Sequence, residues 1–326
     1  MKPDFIHGPI SNVFTAWHDD GRFDETGQRN FLQFLTRTGA ISAYFVRSGM
    51  GQMYSFEYED VKAITRVAMD ALPKSNPVIV GSAGIWDHNL DRRPDPAHFT
   101  RQAIELSRYA ESQGVAGVVH TMPEAILPVG RETEADVILR YFETVCEAVS
   151  IPTIAYQPPL TTEPYRVNVD LVQRMGDIPN LCAMKLSTDD AQYLCDVGWA
   201  TRGKNFTLIA GSETGFYAAL CAGAEACIGQ GSTMYPQLLA LLQERFEAGD
   251  MDQVIEIQRS INRLCQECTS PVQFMKRYST EHGFPVGLEP RPVGENPYMN
   301  NPAPLTDEAY ETYKTLLESE LARFGF

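Results

Sequence analysis

Short apolar runs rich in β-branched residues alternate with longer segments of helical periodicity, and the alternation repeats eight times. The runs predict strands near 8–16, 41–47, 77–82, 116–121, 151–156, 181–185, 206–211 and 225–229. The intervening periodicity predicts helices near 25–38, 57–72, 97–114, 133–149, 168–176, 189–201, 213–222 and 234–247. Gly39, Gly114 and Gly223 stand just past three of these helices, where a left-handed cap is wanted. Eight strand–helix units over about 250 residues point to a (β/α)8 TIM barrel. An open doubly wound sheet is the alternative, but no glycine-rich dinucleotide fingerprint follows the first strand.

The reading divides the chain into a barrel over 1–250 and a C-terminal helical extension over 251–326, packed on the barrel. The extension is expected to hold helices near 252–268, 270–281 and 306–323, joined by a Pro-rich stretch from Gly287 to Pro304. No apolar run approaches the roughly eighteen residues of a membrane helix. The start, Met1-Lys2-Pro3-Asp4, lacks a basic and apolar secretory leader. A cytoplasmic protein without a membrane partner is expected. The net charge of -15, from 27 basic and 42 acidic side chains, argues against a nucleic acid partner. An anionic substrate would then need local compensation from backbone N–H groups or a few cations.

The seven cysteines show no framework spacing, and small buried thiols are expected. Cys265-x-x-Cys268 lies in a helix-like stretch without a second Cys or His pair, so a metal or redox role is not assigned. The six histidines are scattered, and no metal-binding constellation, nucleophile elbow or P-loop is found.

In a barrel of this kind chemistry sits at the C-terminal strand ends. Of seven lysines, Lys185 alone ends an apolar strand, Leu181-Cys182-Ala183-Met184. An ammonium there is costly unless it is paired or loses its proton. A neutral amine can attack a carbonyl, whereas a structural lysine would pair with Asp189 or Asp190. The fifth strand delivers Tyr156, a proton shuttle or a core tyrosine. The second ends in Arg47-Ser48-Gly49-Met50-Gly51-Gln52, a turn whose N–H groups suit a carboxylate, or an ordinary βα turn. Ser48 could add a hydroxyl donor there, and Arg47 a positive charge unless strand alternation turns it away. The eighth delivers Ile228-Gly229-Gln230, and the seventh leads to Glu213, a hydroxyl binder or a helix cap. His120 ends the fourth strand and is read as structural unless it reaches the pocket.

Together these strand ends resemble the dihydrodipicolinate synthase / N-acetylneuraminate lyase family, from about residue 8 to 292. The resemblance rests on Asp20-Gly21-x-x-Asp24, Ser48-Gly49-Met50-Gly51-Gln52, Tyr156-x-x-Pro159, Met184-Lys185-x-Ser187 and Gly211-Ser212-Glu213. Ala222-Gly223-Ala224, Ile228-Gly229 and the segment from Lys276 to Gly287 continue it in order. It implies a class I lyase or aldolase in which Lys185 forms an imine with pyruvate or a longer 2-oxo acid. Tyr156 would relay protons, Ser48, Gly49 and Met50 would hold the carboxylate, and the Ile228 carbonyl would line the site. No cofactor or metal is implied, and a homo-oligomer, dimer or tetramer, is.

Three departures bear on the substrate. Where the synthase has an Arg two residues after the Tyr-x-x-Pro proline, this chain reads Leu160-Thr161-Thr162. Where it has two tyrosines after the fourth strand, Met122-Pro123-Glu124-Ala125 stands. Gly49 and Met50 replace its paired threonines. The expected substrate is therefore a 2-keto-3-deoxy sugar acid or an aryl-substituted 2-oxo acid rather than that of the synthase. Glu124 and Glu213 near the site would suit hydroxyl groups. Dehydratase or hydratase-aldolase chemistry on the same imine, and a non-catalytic 2-oxo-acid-binding protein, are the alternatives.

Overall fold

The computed structural model describes residues 2–293, 296–298 and 303–326. Eight parallel strands close into a barrel in chain order: β1 (Gly8–Asn12), β2 (Ala43–Val46), β3 (Val78–Gly81), β4 (Gly117–Thr121), β5 (Thr153–Gln157), β6 (Leu181–Leu186), β7 (Thr207–Ala210) and β8 (Ala224–Cys227). The helices between them are α1 (Glu25–Thr36), α2 (Tyr58–Ala71), α3 (Pro96–Ser112), α4 (Glu134–Glu147), α5 (Val169–Met175), α6 (Ala191–Ala200) and α7 (Phe216–Cys221). After β8 come a short α8 (Gly231–Met234), α9 (Pro236–Glu247), α10 (Met251–Glu267), α11 (Pro271–Glu281) and α12 (Asp307–Arg323). The (β/α)8 expectation is met. Residues 294–295 and 299–302 of the expected Pro-rich stretch lie outside the described residues.

The helix starts follow local chemistry. Asp24, Asp95, Thr133, Asn168, Asp190 and Thr306 each accept a backbone N–H of the following first turn. Thr133 and Asp136 cap each other reciprocally. Gly39, Gly114 and Gly223 take positive φ beyond their helices, as expected.

Both faces of the strands are buried, which is why they read as continuous apolar runs. Ile10, Phe45, Ile79, Val119, Ile154, Ala183, Ile209 and Ala226 fill the barrel interior. The opposite face packs on the helices with residues such as Tyr44, Val80, Val118, Met184 and Leu208. Two-residue alternation carries the inward face to the C-terminal ends, where Thr121 pairs with Tyr156, Tyr156 with Lys185 and Lys185 with Ile209.

Two local readings need correction. β1 ends at Asn12 rather than near 16, because Thr15 turns to donate its hydroxyl to the Gly51 carbonyl at 2.7 Å. The α8 turn was not expected; it is one short helix in a Gly-Ser-Thr stretch, held where Thr233 bonds Ser11 and the Asn12 carbonyl.

His120 lies on the outward face of β4, fully buried, with its nitrogens 3.0 Å from the Ser107 and Tyr141 hydroxyls. It is a structural residue and does not reach the barrel mouth. Burial, with the Arg47 charge adding to it, pushes its pKa down from 6.5 to about 3. The unfolded chain therefore takes up this proton near pH 6.5, while the folded protein resists until about pH 3. The contribution to stability is complete above pH 6.5 and is lost progressively as the pH falls towards 3. His120→Leu is expected to cost about 1–3 kcal/mol at pH 7.5 through the Tyr141 hydroxyl it leaves unpaired, since Ser107 keeps its bond to the Ala103 carbonyl. The variant should lose less stability than the parent between pH 6.5 and 4.5, as read from urea midpoints.

Candidate active site

Lys185 is only 2% exposed, yet its Nζ faces a cavity of about 190 Å3 at the barrel mouth. Cross-strand pairing of Tyr156 with Lys185 brings the ring beneath the amine, with Nζ 3.8 Å from its centroid. The Ser187 hydroxyl is 3.3 Å from Nζ. Among the described residues no carboxylate pairs with this amine. The carboxylates proposed as structural partners are used elsewhere: Asp189 accepts the Thr214 hydroxyl and Asp190 caps α6.

Burial of a lysine does not by itself mark a site. Lys276 on α11 is 1% exposed, and burial pulls its pKa from 10.5 to about 8. Its Nζ donates to the Glu289 carbonyl, and it does not line the Lys185 cavity. What separates the two lysines is the cavity and the phenol.

Gly49 and Met50 line the cavity, as the turn reading wanted. Ser48 does not. Its hydroxyl donates to the Val13 carbonyl and accepts the Gly51 N–H, so it orders the turn and faces away from the cavity. The expectation of a substrate-facing hydroxyl is not met. A Cβ on Gly49 would stand 3.0 Å from the Tyr156 hydroxyl, so the phenol tip abuts this turn. Ile228 is fully buried in the barrel interior, and Gly229 and Gln230, not Ile228, line the cavity.

Arg47 is turned out of the lysine cavity. Its φ of 49° swings the chain over β3, where the guanidinium donates to the carbonyls of Gly81, Ala83 and Gly84. Glu124 is buried and accepts the Thr162 N–H and hydroxyl at 2.8 Å each. Its other oxygen is 3.5 Å from His88 Nε2. Burial raises the Glu124 pKa and lowers that of His88 to about 4, so both groups are pushed towards their neutral forms. Neither side chain lines the lysine cavity.

Glu213 does line it, and it is no helix cap: its carboxylate accepts the Gly231 N–H at 3.0 Å and approaches the Tyr235 hydroxyl. Burial raises its pKa, against the backbone hydrogen bonds. Gly229 permits this approach, since a Cβ there would lie 2.0 Å from Glu213 Oε2. Gly229→Ala is expected to drive the carboxylate off the Gly231 amide at a cost of about 1–3 kcal/mol. Urea unfolding measures the loss, and Lys185 should stay reactive in the same variant.

Several lining residues escaped the sequence reading. Asn12 is the inward residue at the end of β1 and could have been found by alternation; its Oδ1 is buried without a protein partner among the described residues. Cys265 lines the cavity from α10, with its thiol 3.6 Å from Gln230 Nε2. Asn296 and Tyr298 reach it from the stretch read as a connection, where no periodicity signals them. Arg291 anchors that stretch to the Ser55 carbonyl, Asp60 and Glu57.

Residues 6–318 match the dihydrodipicolinate synthetase family. The chain belongs to that family. Among its relatives, the putative 2-dehydro-3-deoxy-D-gluconate aldolase YagE of Escherichia coli is 26% identical over 316 residues, covering 95% of this chain and 94% of that protein. The 4-hydroxy-tetrahydrodipicolinate synthase of Acidiphilium cryptum is 27% identical over 254 residues, 78% of this chain and 80% of the synthase. The fold is that of the Ruminococcus gnavus sialic acid aldolase, with a TM-score of 0.80 at 19% identity over 98% of this chain and 100% of that one.

Proposed function

We propose that this member of the family is a lyase that cleaves or dehydrates a 2-keto-3-deoxy sugar acid or an aryl-substituted 2-oxo acid through an imine on Lys185. Family membership makes the chain a class I, Schiff-base-forming lyase acting on a small 2-oxo acid. The observation that carries the residue assignment is a buried amine without a carboxylate partner among the described residues, facing a cavity beside a phenol.

In this reading the neutral amine attacks C2 of the oxo acid, and the carbinolamine loses water to give the protonated imine. The iminium draws electrons from the C3–C4 bond. As that bond breaks, the Tyr156 phenolate, formed when the phenol protonates the departing carbinolamine hydroxyl, takes the C4 hydroxyl proton, the C4 fragment leaves as an aldehyde, and Tyr156 hands the proton to C3 of the enamine. Water finally releases the oxo acid from Lys185. Backbone N–H groups at Gly49 and Met50 hold the carboxylate in place of a Ser48 hydroxyl. The Ile228 carbonyl, one peptide below the lining glycine, is assigned to the wall of the site. Glu213 supports hydroxyl recognition on the β7–β8 side.

Turnover of a panel of hydroxylated and aryl 2-oxo acids tests this reading. Cleavage or dehydration of at least one is expected. Imine formation without product from every compound would leave a 2-oxo-acid-binding protein instead.

We also assign the chain to a homo-oligomer, a dimer or tetramer. Support comes from the exposed apolar side chains Leu127, Val129 and Leu160 on loops joined by the Glu124–Thr162 hydrogen bonds. A cytoplasmic location is consistent with seven free cysteines. Residues 251–326 are assigned as an extension of the barrel over 1–250, since α10 packs on α9.

A further inference from the structure

Tyr156 and Tyr298 line the lysine cavity and also a second one, and among the described residues they alone are common to both. The second cavity lies over the ends of β2, β3 and β4. Its walls include Tyr54, Trp86, Phe99, Thr121 and Arg47. It measures about 30 Å3, on a scale where one water needs roughly 10–15 Å3. That is room for a halide or one carboxylate group.

Arg47 gives this cavity its character. The residue is 4% exposed. Three backbone carbonyls take three of its four Nη protons, leaving one on Nη2, and the enclosed Nε has no protein partner among the described residues. No carboxylate among those residues pairs with the guanidinium. Burial lowers its pKa only to about 10, so it keeps its charge at neutral pH. A buried cation that lines a cavity with unclaimed N–H groups and without a carboxylate partner is stabilised most by an anion. The two phenols line this cavity and the one at Lys185, which sets it beside the place of the imine.

We propose that the cavity beside Arg47 is a binding site for a small monoanion of carboxylate or halide size. The natural source is either the distal carboxylate of the substrate, which would then be a 2-oxo sugar diacid, or a free inorganic anion. The first source rests on the imine reading above; the anion site itself does not.

The wild-type protein, crystallised and soaked in bromide, is expected to show an anomalous peak within about 3.5 Å of the Arg47 guanidinium. This arm needs neither turnover nor a variant. In parallel, kcat/KM is compared for two 2-oxo substrates of equal length, one ending in a carboxylate and one in a hydroxymethyl group. If the substrate is the source, the parent prefers the diacid by at least about tenfold, and Arg47→Gln removes the preference while pyruvate trapping continues. Bromide at Arg47 with no change of preference assigns the site to a free anion. No bromide at Arg47, together with an unchanged preference in Arg47→Gln, overturns the proposal. If no oxo acid forms an imine, the proposed function fails and the bromide result still decides the anion site.

Discussion

Lys185→Ala is expected to lower turnover by at least about 10^4-fold, because the covalent route has no substitute once the amine is gone. Among the described residues Lys185 is the one lysine lining the cavity, and the neighbouring strand ends present Thr121, Tyr156 and Gly211, none of them an amine. The same substitution should not unfold the protein. The amine is buried without a carboxylate partner among the described residues, and its nearest polar contact is one hydroxyl at 3.3 Å. Removing it leaves no charge stranded, so the thermal midpoint is expected to stay level or rise. Lys185→Arg supplies a guanidinium but no nucleophile, and it should be as inactive as the alanine variant. Steady-state turnover with any accepted oxo acid, set beside thermal unfolding of both variants, measures this pair of effects. Activity in Lys185→Arg would point to a barrel enzyme that uses no imine.

Tyr156→Phe is the second large effect. The ring stays under the lysine, so the contact at 3.8 Å and the packing survive. Only the hydroxyl is lost, which abuts the Gly49 turn and is the proposed proton carrier. kcat should fall by about 10²- to 10⁴-fold, with a smaller change in KM. Borohydride trapping of pyruvate should still proceed in this variant, though more slowly. That split between slow turnover and retained trapping distinguishes a proton relay from a tyrosine that merely fills the core.

The elements legible in the sequence are those set by local periodicity. Alternation along β6 put Lys185 on the inward face, and the same parity in β5 put Tyr156 beside it. Helix starts followed from Asp, Asn and Thr caps that act within one turn. Residues whose orientation depends on distant chain were misread or left open. Ser48 looked like a donor to substrate, but the Val13 carbonyl, 35 positions away in the chain, claims its hydroxyl. Arg47 lies on the inward parity of β2, yet a left-handed φ carries its guanidinium over β3. Tyr298 and Asn296 had no signal at all, because their position is set by Arg291 reaching back to Ser55 and Asp60. The walls of the site beyond the lysine are thus tertiary in origin, and with them the choice of substrate.

The central claim is that Lys185, and no other lysine, forms the imine. Incubating the protein with pyruvate and borohydride, then mapping the reduced adduct by peptide mass analysis, tests it directly. One adduct per chain on Lys185 is the predicted result. No adduct, or an adduct on the equally buried Lys276, would contradict the account.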